Sequence, residues 1–360
     1  MVRERLENNM SKTPAISING RQIGSGFPPY IIAEVSANHN GSVDVARRLV
    51  EEAARAGASA VKLQTYTPDT ITLDCDSEDF VISSGLWAGR TLYELYGEAH
   101  MPWEWQVDLF EYAKKIGITL FSSPFDSTAI DFLEDLGAPA YKIASFEAID
   151  LPLISYAATT GKPMIISTGM ATEEEIAEAV TTALESGCQQ VALLHCVSGY
   201  PAPVEDYHLQ TIPDMINKHG LVTGLSDHTI GNVTAITSIA LGASIVEKHF
   251  TLDHNGGGPD DSFSMEPHQL KNLCEDCSAA WISMGTSNYQ RKNSETDNVR
   301  FRRSLYFIES LKRGDVITEG SIKSVRPGFG LAPKYIETVI GKRLACDVEY
   351  GRPVTAECLE

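Results

Sequence analysis

Two histidines, His228 and His249, stand 21 residues apart, each at the end of an apolar run of strand-like composition. His228 follows Gly220-Leu-Val-Thr-Gly, and His249 follows Ala243-Ser-Ile-Val. That gap fits one strand–helix–strand step, which would set both imidazoles at the same end of neighbouring parallel strands. Neutral imidazole is a common ligand for transition metals, so such a pair can share one divalent ion. Other polar side chains recur at the ends of apolar runs: Glu34, Lys62 with Gln64, Ser122 with Ser123, Lys142 with Ser145, Ser167, Cys196 with Ser198, Ser226, and Lys248. Desolvating such groups costs free energy unless they are paired or bound to a ligand, so their convergence on one mouth would mark a site. Hydroxyl and ammonium groups suit a phosphate or a carboxylate. A lysine in a buried strand, Lys62 or Lys142, equally suits Schiff-base chemistry, because burial frees the amine. The residue types leave two readings open, a metal-assisted or a lysine-assisted reaction of a phosphorylated or carboxylated small molecule.

The elements that would position these groups alternate. Strand-like runs end at Ile31-Ile-Ala-Glu34, Ala60-Val-Lys-Leu-Gln64, Thr119-Leu-Phe-Ser-Ser123, Ala140-Tyr-Lys-Ile-Ala-Ser145, Met164-Ile-Ile-Ser167 and Val191-Ala-Leu-Leu-His-Cys196, and the two histidine runs make eight. Helical patterns such as Val43–Ala56 and Glu173–Ser186 separate them, each followed by a glycine, as helix ends often are. Eight such units predict an α/β fold, a (β/α)8 TIM barrel, with a doubly wound open sheet as the alternative. Asn38-His39-Asn40-Gly41 after the first strand is a polar turn, and the glycine-rich Asn255–Asp261 segment after the last would be a mobile loop carrying Asp260 toward the metal.

Outside the barrel, Asn19-Gly20 between alternating apolar residues predicts a hairpin over one end of the large domain. Residues 1–29 form this N-terminal segment, 30–292 the barrel, 293–303 a polar linker, and 304–360 a small β-rich module with strands at Ser304–Phe307, Ile322–Val325 and Thr338–Ile340. A module this small is marginal alone, so it should dock on a barrel or a partner. At 43% hydrophobic residues the chain can bury a full core, and its net charge of −19 argues against nucleic acid. The charged start and the lack of a membrane-length apolar run place the protein in the cytoplasm and off the membrane. The 7 cysteines are scattered, and Cys274 and Cys277 lack the second pair of a zinc knuckle, so they read as structural thiols.

Ordered along the chain, Ile32-Ala-Glu34, Asn38-His39-Asn40-Gly41, Lys62-Leu-Gln64-Thr65, Ser122-Ser123-Pro124-Phe125-Asp126, Lys142-Ile-Ala-Ser145-Phe-Glu147, Ser167-Thr-Gly-Met170, Tyr200-Pro201, Ser226-Asp227-His228-Thr229, Glu247-Lys248-His249-Phe250-Thr251 and Gly258-Pro259-Asp260 resemble the sialic acid synthase family. Arg326-Pro327-Gly328-Phe-Gly330 resembles its antifreeze-like (SAF) module. Within the family, Gly85–Tyr96, Glu98–Trp105 and Tyr141–Glu147 are most similar to the pseudaminic acid synthases, and an aromatic loop holding Trp87, Tyr93, Trp103 and Trp105 would wall the sugar. The resemblance implies condensation of phosphoenolpyruvate with an N-acetylated aldehydic sugar, 2,4-diacetamido-2,4,6-trideoxy-L-altrose, releasing phosphate by carbon–oxygen cleavage. N-acetylneuraminate or legionaminate synthesis, and a catalytically idle carbohydrate-binding protein on the same fold, are the alternatives. It further implies Glu34 as base, with Lys62, Lys142, Ser123, Ser145, Ser167, Ser198 and Ser226 on phosphoenolpyruvate. Gln64, Glu147, Tyr200 and Asp260 complete the substrate site, and His228 and His249 hold a divalent metal, Mn²⁺ or else Mg²⁺ or Co²⁺. Arg326 would reach a partner's site in a domain-swapped homodimer.

Overall fold

The computed structural model describes residues 14–360, so the charged start of the chain lies outside the described residues. They divide into two compact units, one running to Gly285 and one from Thr286 to Glu360.

In the first unit, strands β1 (Ile16–Ile18) and β2 (Arg21–Ile23) form the antiparallel hairpin, with Asn19 and Gly20 both at positive φ, as a type I′ turn requires. Eight parallel strands then close into a barrel: β3 (Tyr30–Glu34), β4 (Ala60–Thr65), β5 (Thr119–Pro124), β6 (Tyr141–Ile143), β7 (Met164–Ser167), β8 (Val191–Cys196), β9 (Val222–Asp227) and β10 (Ile245–His249). Strand β10 returns to pair with β3, and the closing register sets His249 beside Glu34. The open-sheet alternative is thereby excluded.

Helix boundaries follow from local chemistry. Ser42 caps Val43–Ala56 by accepting from the Val45 amide, and the helix stops at Gly57 with φ of 90°. Ala46, Leu49, Val50 and Ala53 fall on its buried face at helical spacing and pack on the outside of the strands. Thr172 and Glu175 form a reciprocal cap on Glu173–Glu185.

The barrel interior explains why chemistry gathers at one end. Alternate residues of each strand face inward. Tyr30, Ile32, Ala60, Phe121, Ala140, Ile165, Ala192, Leu194, Val222 and Ile245 fill the lower layers, and Ile16, Ile18 and Ile23 of the hairpin close the N-terminal floor. Two residues further on, the inward position turns polar: Ile32 gives way to Glu34, Ala60 to Lys62, Ala140 to Lys142, Ile165 to Ser167 and Ile245 to Glu247.

In the second unit, β11 (Ser304–Phe307) pairs antiparallel with β12 (Ile322–Val325) around a core of Leu305, Phe307, Ile317, Ile322, Val339, Leu344 and Val354. Thr338–Ile340 is not the strand its β-branched residues suggested. Thr338 and Val339 end the short helix Ile336–Val339, which a turn beginning at Pro333 leads into and Gly341 at positive φ follows. Two short 3-10 turns, Asn293–Glu295 and Asp297–Phe301, occupy much of residues 293–303. No helix among the described residues is long and apolar enough to cross a membrane. All seven cysteines are free thiols, and Cys274 and Cys277 share the helix Pro267–Met284.

Candidate active site

A cavity of about 470 Å³ opens at the C-terminal ends of the barrel strands. Glu34, Lys62, Gln64, Lys142, Ser145, Glu147, Ser167, Ser198, Tyr200, Ser226, His228, His249 and Asp260 all line it. Ser123 is fully buried on β5 beside Gln64 and is not part of that lining; its hydroxyl has no partner. Arg326 is exposed just after β12 in the second unit.

Alternation corrects two sequence expectations. Lys248 faces outward, where its ammonium donates to Asp227 at 2.8 Å and to the Thr229 carbonyl. Its neighbour Glu247, which points inward, takes its place in the site. Ser122 likewise faces the helices and bonds Thr65. Stepping by two from Ile245 would have found Glu247.

Four buried charges form the floor of the cavity. Lys62 Nζ lies 2.8 Å from Glu247 Oε1 and 3.2 Å from Glu34 Oε2, and Lys142 Nζ lies 3.6 Å from Glu247 Oε1. Burial drives Glu34 up to about 7 against the pull of Lys62, with Glu247 adding to the rise. Burial draws Lys142 down to about 8, although Glu247 opposes the shift. Glu247 and Glu34 together hold Lys62 above its ordinary value despite burial. Glu147 is pushed up to about 7 by burial. The hydroxyl of Ser167 and one carboxylate oxygen of Glu147 are buried without partners, while Ser145 accepts from the Gly169 amide. Unpartnered hydroxyls beside two ammonium groups make a receptor for a small, multiply charged anion.

The imidazoles of His228 and His249 lie 5.4 Å apart between ring centres, with Tyr200 4.3 Å from the first and 5.8 Å from the second. His228 Nδ1 donates to the Val197 carbonyl at 2.8 Å, so in the neutral ring Nε2 keeps its lone pair, although Cys196 and that carbonyl raise the ring above its ordinary value against burial. His249 Nδ1 is buried with no partner, and burial, with the Lys62 ammonium adding to it, keeps that ring well below its ordinary value and neutral. Two imidazoles with unclaimed nitrogens fit a shared divalent ion. The described residues contain no group of three or more His, Cys, Asp or Glu side chains arranged for a metal, so further ligands would come from water or substrate.

The loops above are pinned. Asn38 donates to the Phe250 carbonyl and to Ser264, and Asn40 donates to Asp261. Asp261 also accepts from Thr251 and from the Gly258 amide. The glycines at 256 and 258 thus sit in a loop tied by hydrogen bonds to the turn after β3 and to the segment after β10. A Cβ on Gly258 would collide with Asn40 Oδ1, so close approach requires the glycine. Of Trp87, Tyr93, Trp103 and Trp105, Trp87 alone lines the cavity, its indole donating to the Pro259 carbonyl. Trp103 stacks on Phe132 and Trp105 packs edge-on to His39, both in the helical layer, while Tyr93 bonds Asp69 at the surface. Tyr66, Tyr96, Phe125 and Phe146 complete the apolar wall instead.

Comparison with known proteins gives a consistent picture. The NeuB family model matches residues 49–289 and the SAF domain model residues 302–360. The chain is 42% identical to a pseudaminic acid synthase of Campylobacter jejuni, covering 89% of this chain and 94% of that protein. It is 41% identical to a pseudaminic acid synthase of Helicobacter pylori, covering 92% and 98% respectively. Among solved structures, the N-acetylneuraminic acid synthetase of Leptospira borgpetersenii, crystallised with citrate, superposes with a TM-score of 0.71 at 30% identity, over 80% of this chain and 95% of that one.

Proposed function

The chain belongs to the NeuB family, and from that premise we propose that it is a pseudaminic acid synthase. It condenses phosphoenolpyruvate with 2,4-diacetamido-2,4,6-trideoxy-L-altrose and releases pseudaminic acid and phosphate. The observation that carries this reading is the anion receptor of buried ammonium groups and unpartnered hydroxyls set beside a histidine pair, in a chain about two-fifths identical to two such synthases.

Lys62 and Lys142, with Ser145, Ser167, Ser198 and Ser226, hold the phosphate and carboxylate of phosphoenolpyruvate, and Ser123 stands behind them. Gln64, Glu147, Tyr200 and Asp260 face the sugar, whose deoxy carbon meets the wall built by Trp87 and Tyr96. A divalent ion on His228 and His249, Mn²⁺ in this proposal, would polarise the aldehyde oxygen as a Lewis acid. The enol carbon of phosphoenolpyruvate attacks the aldehyde carbon, and water adds to the phosphate-bearing carbon. Glu34, held near 7, takes the proton of that water. The alkoxide formed on the aldehyde oxygen takes up a proton, the new hydroxyl on the phosphate-bearing carbon loses its proton to the departing phosphate as the carbonyl forms, and phosphate leaves with the bridging oxygen. We place Arg326 in the site of a partner subunit, within a domain-swapped homodimer in the cytoplasm.

The test is phosphate release from phosphoenolpyruvate with a panel of sugars. The diacetamido trideoxy sugar should exceed N-acetylmannosamine in kcat/KM. Faster turnover of N-acetylmannosamine would move the chain to the neuraminate synthases, and no turnover of any sugar would leave a carbohydrate-binding protein.

A further inference from the structure

Among the described residues that line the cavity, Ser36 is the one other than glycine whose backbone sits at positive φ, at 46°. A residue with a Cβ adopts that conformation at a cost, so its persistence asks what the side chain does. The hydroxyl is buried, and it both donates and accepts. Gln64 Nε2 donates to it at 3.1 Å, and it donates to Asp260 Oδ2 at 2.5 Å. The same Gln64 amide donates to Glu34 Oε1 at 2.8 Å. A directed chain therefore runs from Gln64, already bound to Glu34, through Ser36 to Asp260. Asp260 Oδ2, also 3.5 Å from the Ala37 amide, stops 3.8 Å from His249 Nδ1, beyond hydrogen-bond reach. His249 Nδ1 stays unclaimed.

We propose that Ser36 is a positioning residue, which holds the Asp260 carboxylate beside His249 without letting it capture the imidazole. The proposal deepens the synthase reading and rests on it for the reaction, though not for the histidine pair. Without the hydroxyl, Asp260 loses its shortest tie and can turn onto His249 Nδ1, which fixes a hydrogen there and closes to an ion the buried nitrogen that now stands unclaimed.

Two variants separate this role from a packing role. Ser36→Gly removes the hydroxyl and the backbone strain together, whereas Ser36→Ala removes the hydroxyl alone. A residue that only packs would give a Gly variant with unchanged chemistry. Ser36→Gly should melt above Ser36→Ala, because it alone also relieves the backbone strain, while both variants bind Mn²⁺ about tenfold more weakly by calorimetry, the scale of a hydrogen bond to a charged group. Both should also lose about tenfold in kcat with the sugar while the KM for phosphoenolpyruvate stays within about twofold. Wild-type Mn²⁺ affinity in Ser36→Gly would overturn the proposal, as would wild-type kcat. If the wild-type protein condenses nothing, the synthase reading fails, and the Mn²⁺ isotherms alone still decide the role of Ser36.

Discussion

Lys142 offers a sharp test of how this barrel trades stability for chemistry. Its side chain is 2% exposed, and its nearest anion, Glu247 Oε1, is 3.6 Å away and already 2.8 Å from Lys62. Burial lowers the amine from 10.5 to about 8. A lysine depressed in the folded state binds fewer protons there than in the unfolded chain between those two values. Stability must therefore rise with pH across that window, and the full cost is present below about 8. The gap of roughly 2.5 units, at about 1.4 kcal/mol each, makes the charge a burden of about 3 kcal/mol at pH 7. Lys142→Met keeps the length and apolar stem, removes the charge, and leaves Glu247 its closer partner. Its unfolding free energy from urea titration at pH 7 should exceed wild type by an amount of that order, and the advantage should fade as pH climbs from 8 towards 10.5. Phosphoenolpyruvate turnover should collapse in the same variant. All four tryptophans, Trp87, Trp103, Trp105 and Trp281, lie in the barrel unit, so their fluorescence reports its unfolding. A Met variant no more stable than wild type at pH 7, or an advantage that grows with pH, would refute the reasoning.

Three further outcomes follow from the same geometry. Because Glu34 must be ionised to accept a proton and is held near 7, kcat should rise with pH through about 7, and Glu34→Gln should abolish that limb with at least a hundredfold loss of rate; an unchanged acid limb in the variant would assign it elsewhere. Gly258→Ala forces a Cβ onto Asn40 and should lower stability by about 1–3 kcal/mol and loosen the Asp260 loop; a wild-type melting curve would show that the loop yields freely. Mixing Arg326→Ala with His228→Ala subunits should restore activity if the arm crosses between subunits, because one site of the mixed dimer is then intact; verified exchange without recovery would mean that each arm serves its own barrel or none.

Much of this architecture is legible in the residues. The helix Val43–Ala56 announces itself through Ser42, its apolar stripe and Gly57, and the hairpin through Asn19-Gly20. Strand ends are legible as well, because an apolar run that stops at Glu34 or Ser167 must deliver that polar group to a partner or a ligand. What adjacency along the chain conceals is facing. Lys248 and Glu247 are neighbours, yet one pairs with Asp227 outside the barrel and the other bridges two lysines inside it. Trp103 and Trp105 resemble a substrate wall until the helix Trp103–Ile116 turns them into the layer behind it. Thr338–Ile340 carries strand-forming residues, but packing and the turn at Pro333 place most of it in a helix. Ser36 gives no sign in composition, since its distinction lies in a backbone angle.

The hairpin on the barrel floor also bears on the order of assembly. Ile16, Ile18 and Ile23 leave the ribosome before any barrel strand, yet the cluster they complete includes Ile245, more than two hundred residues later. Their seat does not exist until the last strand has closed on the first. Loop closure over such a separation is slow. The earliest described residues thus find their complete seat only when the whole set of barrel strands is present.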